Sequence, residues 1–142
     1  MAAAYLLSGA DVLLFENQAG KVIYHPTGYI RLDWHSAPAP DADVRALYQT
    51  ASQALYQYGV EGILTDHRHM PPLSPAMQQW LVETWTPQAV HECGYRRAAV
   101  VQSFNVFSRL ATSHIVMQLG RLPFTVRYFD NEPEAEQWLL AS

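Results

Sequence analysis

The sequence predicts an α/β fold: a mixed β-sheet that opens as an antiparallel meander and continues as alternating β/α units, with helices covering the sheet. Three observations lead there. Short β-favouring runs separated by turn residues fill the first quarter of the chain. After the loop Ser36-Ala37-Pro38-Ala39-Pro40 the apolar period changes from two to steps of three and four. From there helical stretches alternate with further short apolar runs, the order that places successive strands parallel. At 142 residues and 16.0 kDa, with no repeat, low-complexity tract or linker, residues 1–142 are expected to form a single domain.

The elements follow in order. VLLFE, KVIYH and YIRLDWH read as strands joined by the turn-forming NQAG and PTG. In YIRLDW, Tyr29, Arg31 and Asp33 alternate with Ile30, Leu32 and Trp34, so one face is apolar and only that face is expected to need a cover. Val44, Leu47, Tyr48, Ala51, Leu55 and Tyr58 mark an amphipathic helix over 42–58, with Asp41 as N-cap and Gly59 as stop. Gly62 to Asp66 is a strand, and the prolines of HRHMPPLSP end it before a helix that starts at Ser74 and Pro75. Met77, Trp80, Leu81 and Trp85 form its stripe; Pro87 predicts a kink or break, with Thr86-Pro87 recapping a segment that reaches Cys93-Gly94. A strand from Arg97 to Val101, a helix from Val106 to Leu119, a strand from Phe124 to Phe129 and a final helix complete the pattern. Asn131 and Glu134 have capping-box spacing in that last helix, and Ala135, Trp138 and Leu139 are its inward stripe.

Composition narrows the function. Hydrophobic residues make up 49% and charged ones 15%, enough apolar material to offset the entropy of folding. A net charge of −4, nine Lys and Arg residues and a single Lys, Lys21, argue against nucleic-acid binding, which needs concentrated positive charge. One cysteine, Cys93, cannot form an internal disulfide, and MAAAYLLSGADVLLFE lacks a basic segment followed by a sustained apolar one, so a cytoplasmic location is expected. No run approaches the roughly 20 apolar residues of a membrane span, and the closing LLAS carries no prenylation box, so no stable membrane insertion is expected.

The strand ending ILTDHR, the run RRAAVV and the closing FTVRYFDNEPEAEQWL resemble the SpoIIAA-like branch of the STAS and SEC14-type domains. Arg127, Tyr128, Phe129, Glu134, Ala135, Trp138 and Leu139 fill the places of a last strand, an acidic turn and a helix with Ala and Trp-Leu. The resemblance spans residues 12–140. It implies a regulatory module that binds a partner, as STAS-type proteins do in switch complexes, or one that holds an apolar ligand or lipid, as SEC14-type domains do. It also implies Ser74 as the nearest match to a phosphorylatable serine, although the family's short Asp-x-Ser-Gly connection is replaced by the bulkier HRHMPPL after Thr65-Asp66.

Among the residues themselves, Asp66, His67 and His69 are the richest chemical cluster, because α/β folds present ligands and catalysts at strand ends and His-x-His beside a carboxylate can hold a transition metal. The commoner role of such residues is a polar loop in which Asp66 caps neighbouring amides. Ser74 would receive phosphate favourably at a helix N-terminus, where its ordinary task is capping. Arg68, Arg96, Arg97, Arg109, Arg121 and Arg127 would form an anion site if several converged. Cys93 reads as a small buried side chain, since His91 two positions away on a helix points elsewhere, and His114 reads as a half-buried helix residue. Trp80, Trp85, Tyr48, Tyr56, Tyr58, Phe104 and Phe107 exceed what one small core encloses, which suits a homodimer interface or an apolar pocket between sheet and helices, the alternative being ordinary partial burial of large rings. The expected function is therefore non-enzymatic protein association, with a homodimer as the first partner, no metal and no cofactor. The alternatives are a small-molecule or lipid carrier lined by Trp80 and Trp85, and a metal-dependent enzyme built on Asp66, His67 and His69.

Overall fold

The computed structural model describes residues 11–141, so the reading of MAAAYLLSGA as lacking a secretory signal lies outside the described residues, as does Ser142 of the closing LLAS. Strands β1 (Val12–Glu16), β2 (Gly20–His25), β3 (Tyr29–Trp34), β4 (Gly62–Asp66), β5 (Arg97–Val101) and β6 (Thr125–Phe129) stand in one sheet in sequence order. The first three are antiparallel, and β3 to β6 are parallel, as the alternating pattern predicts. A register shift between Leu13 and Phe15 bends the edge strand β1.

The alternation in β3 sorts the core. Ile30, Leu32 and Trp34 join Val22, Ile63 and Ala98 against the helices of one face. Burying a side chain the size of Leu32 stabilises by roughly 1.5–3 kcal/mol. The other face is not left open: Tyr29, Leu64, Ala99 and Val101 form a second, smaller core with Ala135 and Leu139. The expectation of a single covered face is thus corrected, because the parallel strands β4 and β5 are apolar on both sides and require two layers.

Helix α1 (Asp41–Tyr58) buries Val44, Leu47, Tyr48, Ala51, Ala54 and Leu55, and Gly59 ends it at φ 64°, a left-handed conformation that suits glycine. Asp41 is not the cap. Pro40 occupies that position without a side-chain bond, and Asp41 instead accepts hydrogen bonds from Ser74 Oγ at 3.0 and 3.1 Å.

Helix α2 runs unbroken over 75–92: an α-helical part Pro75–Trp80, a π-helical turn Leu81–Trp85 and a second α-helical part Thr86–Glu92. Where a kink or break is expected at Pro87, the helix continues without a break and carries a π turn beside the proline. The wider turn, in which Thr86 N–H bonds to Leu81 O, lies just before the proline and accommodates its missing donor without interrupting the chain. It also keeps the stripe straight. Met77, Leu81, Trp85 and Ala89 recur every four residues, a spacing that drifts by about 40° per step on an α-helix, and a π turn winds that drift back.

Helix α3 (Val106–Gln118) is capped by Asn105, whose side chain accepts from the amides of Phe107 and Ser108. Helix α4 (Glu132–Leu140) is capped by Asn131 Oδ1, which accepts from Glu134 N at 3.0 Å, as the spacing predicts. Ala135 and Leu139 turn inward, while Trp138 is partly buried against Phe129. No helix among the described residues is long and apolar enough to cross a membrane.

Candidate functional site

The end of β4 scatters the residues that sequence placed together. Asp66 turns to the α4 side of the sheet, where Arg68 binds it through Nε at 2.9 Å and Nη2 at 2.7 Å. Arg31 bridges Asp33 and Glu132 at 2.7 Å each, and Arg68 also reaches Glu132. Burial raises the Asp66 pKa, but the Arg68 hydrogen bonds and the charges of Arg68 and Arg31 more than offset this, leaving it below the usual carboxylate range. Two guanidinium groups and three carboxylates thus fill the place where an α/β fold would present a ligand, and they fasten the start of α4 to β3 and β4.

His67 turns to the opposite side and is buried, with burial holding its pKa down to about 4 against the pull of Asp66. His69 is exposed, its ring edge-on to Phe104 at 5.5 Å. The three side chains share no site, and among the described residues no group of three or more His, Cys, Asp or Glu side chains is arranged for a metal ion.

The remaining candidates are also separated. Ser74 Oγ accepts from Met77 N at 3.2 Å while donating to Asp41, so it ties the starts of α1 and α2 together. Arg96 donates to the carbonyls of Val90 and Tyr95, Arg97 to Glu61 and Leu139, and Arg127 lies over the Trp138 ring, so these arginines form no common anion site. Cys93 is half-buried rather than buried, and burial pushes its thiol pKa up, away from nucleophilic use. His114 faces outward.

The aromatic residues divide. Trp85 is core: its Nε1 donates to Tyr48 O at 2.8 Å, and its ring lies 4.8 Å from Tyr48 and 5.7 Å from Tyr95. Trp80 is half-buried, edge-on to Tyr48. Tyr56, Phe104 and Phe107 are the surplus at the surface, joined by Tyr58, which is partly exposed and stacked on Tyr24 at 4.1 Å.

Two features centre on α3. Beneath it, between β3–β6 and α2, lies a partly open cavity of about 80 Å³, walled chiefly by Tyr48, Trp85, Tyr95, Ile115 and Phe124, with His67 among its lining residues. The Tyr48 and Tyr95 side chains also line it, deeply buried, and their hydroxyls have no hydrogen-bond partner among the described residues; burial pushes both pKa values up. His67 Nδ1 lies 3.5 Å from Thr112 Oγ1.

Above, α3 turns apolar side chains to water. Of its 13 residues only Ser108 and Ile115 are buried, whereas Val106, Phe107, Leu110 and Met117, together with Phe104 just before it, are 56–78% exposed. Sequence reasoning placed the helix but not this face. Apolar residues occur all round α3, so periodicity could not say which side meets the sheet. No protein-family model matches the chain, and no curated protein or solved structure matches it.

Proposed function

We propose that this protein is a non-enzymatic association module that pairs with a second copy of itself through the outer face of α3. The observation that carries the reading is the run of exposed apolar side chains Phe104, Val106, Phe107, Leu110 and Met117. Five side chains of this size and exposure present on the order of 600 Å² of apolar surface, as much as the largest patch on a typical monomer. Two such faces together bury about 1,200 Å², the lower end of the range for stable interfaces. Charge is sparse as well: Arg109 is the one Asp, Glu, Lys or Arg on α3. Aromatic and Met side chains with few charges are the composition of interface cores, and a sparsely charged face suits isologous pairing with itself.

The SpoIIAA-like and STAS resemblance supports the same reading, since that group acts in switch complexes and a regulatory role follows from it. A cytoplasmic setting belongs with it, supported by the sole cysteine. A lipid carrier has less support, because a cavity of about 80 Å³ is well under the ~300 Å³ at which pockets for drug-sized ligands begin. The divergence of Asp66, His67 and His69 leaves a metal-dependent enzyme without support.

Sedimentation equilibrium tests the pairing. The wild-type chain is expected to dimerise, and Leu110→Glu to weaken the dimer by about tenfold or more, the effect of one charge placed in an apolar contact. A wild-type chain that stays monomeric at every attainable concentration overturns the reading, as does a dimer indifferent to both Leu110→Glu and Phe107→Glu.

A further inference from the structure

The cavity beneath α3 contains a mismatch. Most of its wall is aromatic and aliphatic, yet the Tyr48, Tyr95 and His67 side chains line it, each more than nine-tenths buried. Neither tyrosine hydroxyl bonds to a protein group among the described residues and neither oxygen is fully shielded, so each stays open to a hydrogen-bonding guest. Of the His67 ring only Nδ1 has a protein neighbour, Thr112 Oγ1 at the long distance of 3.5 Å. A neutral imidazole offers one donor and one acceptor, and each hydroxyl offers both.

The rings around the cavity form a connected series: Tyr48 to Trp85 at 4.8 Å, Trp85 to Tyr95 at 5.7 Å and Tyr95 to Phe124 at 5.3 Å, all tilted or edge-on. Such walls favour another aromatic ring packed edge to face. We infer that the cavity is a binding site for a small uncharged aromatic alcohol of phenol size, its ring among Tyr48, Trp85, Tyr95 and Phe124 and its hydroxyl paired with the buried polar groups. A charged ligand is disfavoured, since the cavity offers no ionised partner: no Lys, Arg, Asp or Glu lines it.

At about 80 Å³ the space is roughly half that of an engineered apolar cavity known to take up benzene. A ring therefore enters with an outward shift of α3. That wall is lightly held, by two buried side chains of 13, by the bond from Ser108 Oγ to Met70 O, by the 3.5 Å contact of Thr112 Oγ1 with His67 Nδ1 and by the bond from Phe104 N to Arg68 O. Guest and partner meet opposite sides of α3, and sedimentation of the same samples with and without phenol reads the pairing separately from the binding.

The test is titration with phenol and with toluene, followed by the methyl NMR signals of Ile115 and Val126. Phenol is expected to give saturable shifts and to bind about tenfold more tightly than toluene, the worth of one good buried hydrogen bond. Tyr48→Phe with Tyr95→Phe is expected to remove most of that preference while leaving thermal stability unimpaired, since neither hydroxyl has a protein partner to lose. Ala98→Leu, which fills the space from β5, is expected to abolish binding of both probes, with Ala98→Val as the smaller step should the leucine variant not fold. Three results would overturn the inference: no saturable shift up to the solubility of phenol, as for a cavity holding ordered water only; equal affinity for toluene; or phenol binding unchanged in the Ala98 variant that folds.

Discussion

His67 leaves a strand end, where solvent and ligands are usual, and turns instead into an apolar space. Its folded pKa is depressed, to about 4 from 6.5. Between those values the unfolded chain binds a proton that the folded chain refuses, so stability falls as pH drops from about 6.5 to about 4 and is unaffected by this group above that window. The full loss is on the order of 3 kcal/mol. Urea denaturation is expected to show this slope in the wild type and a flatter one in His67→Gln; parallel slopes would mean the ring is solvated. Asp66 and Glu132 act lower on the scale. Burial opposes the lowering of Asp66 and the Arg68 bonds overcome it, while the Arg31 hydrogen bond leads the lowering of Glu132. Their contribution is complete above the ordinary carboxylate values and is lost as pH falls from there through the lowered ones. Ser74 gives a second prediction at this scale. Its hydroxyl donates to the Asp41 carboxylate while capping α2, so a negative group at 74 would face another at hydrogen-bond distance. Ser74→Asp is expected to cost about 1 kcal/mol, and Asp41→Asn to restore most of it in a double-mutant cycle. A phosphate on Ser74 would meet the same carboxylate.

Among the elements, β2 has the tightest constraint. A Cβ built at Gly20 would stand 2.2 Å from Asp33 O in the neighbouring strand. Backbone cannot swing aside as a flexible side chain can, so Gly20→Ala is expected to destabilise by about 2 kcal/mol or more, measurable by thermal denaturation. At Gly62 the obstacle is the Leu139 side chain at 2.8 Å, and the same substitution should be milder. The element scale is also where sequence was most legible. The runs VLLFE, GILTD and RAAVV became strands with the expected ends, and Gly59 and Asn131 closed and opened their helices because local backbone geometry alone decides such caps. Distant partners were not legible. Arg31 and Glu132 lie 101 residues apart, and no local period foretells that they meet. Asp41 read as a cap because its type fits, but its carboxylate was claimed by Ser74, 33 residues away. Pro87 read as a kink or break, and the form taken, a π turn one step earlier with the helix continuing, has no distinctive composition. At the candidate site, the aromatic excess pointed equally to a pocket or interface and to ordinary partial burial of large rings; which rings went inward depended on how α2 and α3 settled on the sheet.

For the whole molecule, α3 is the element with two environments, a cavity below and exposed apolar surface above. The proposed pairing through its outer face would couple folding to association, so the midpoint of thermal unfolding is expected to rise with protein concentration in the wild type and to become independent of it in Leu110→Glu. A midpoint independent of concentration in both would sink the pairing. The order of the sheet has a consequence of another kind. Each strand pairs with the one before it and the one after it, so a chain emerging from its N-terminal end could lay every new strand against an edge already made. No early strand has to wait for a distant late one, and loop closure is met in short instalments. On that route the growing edge would travel from β1 to β6, and α4, last of these elements in sequence, would close over β4 and β5 once both are in place.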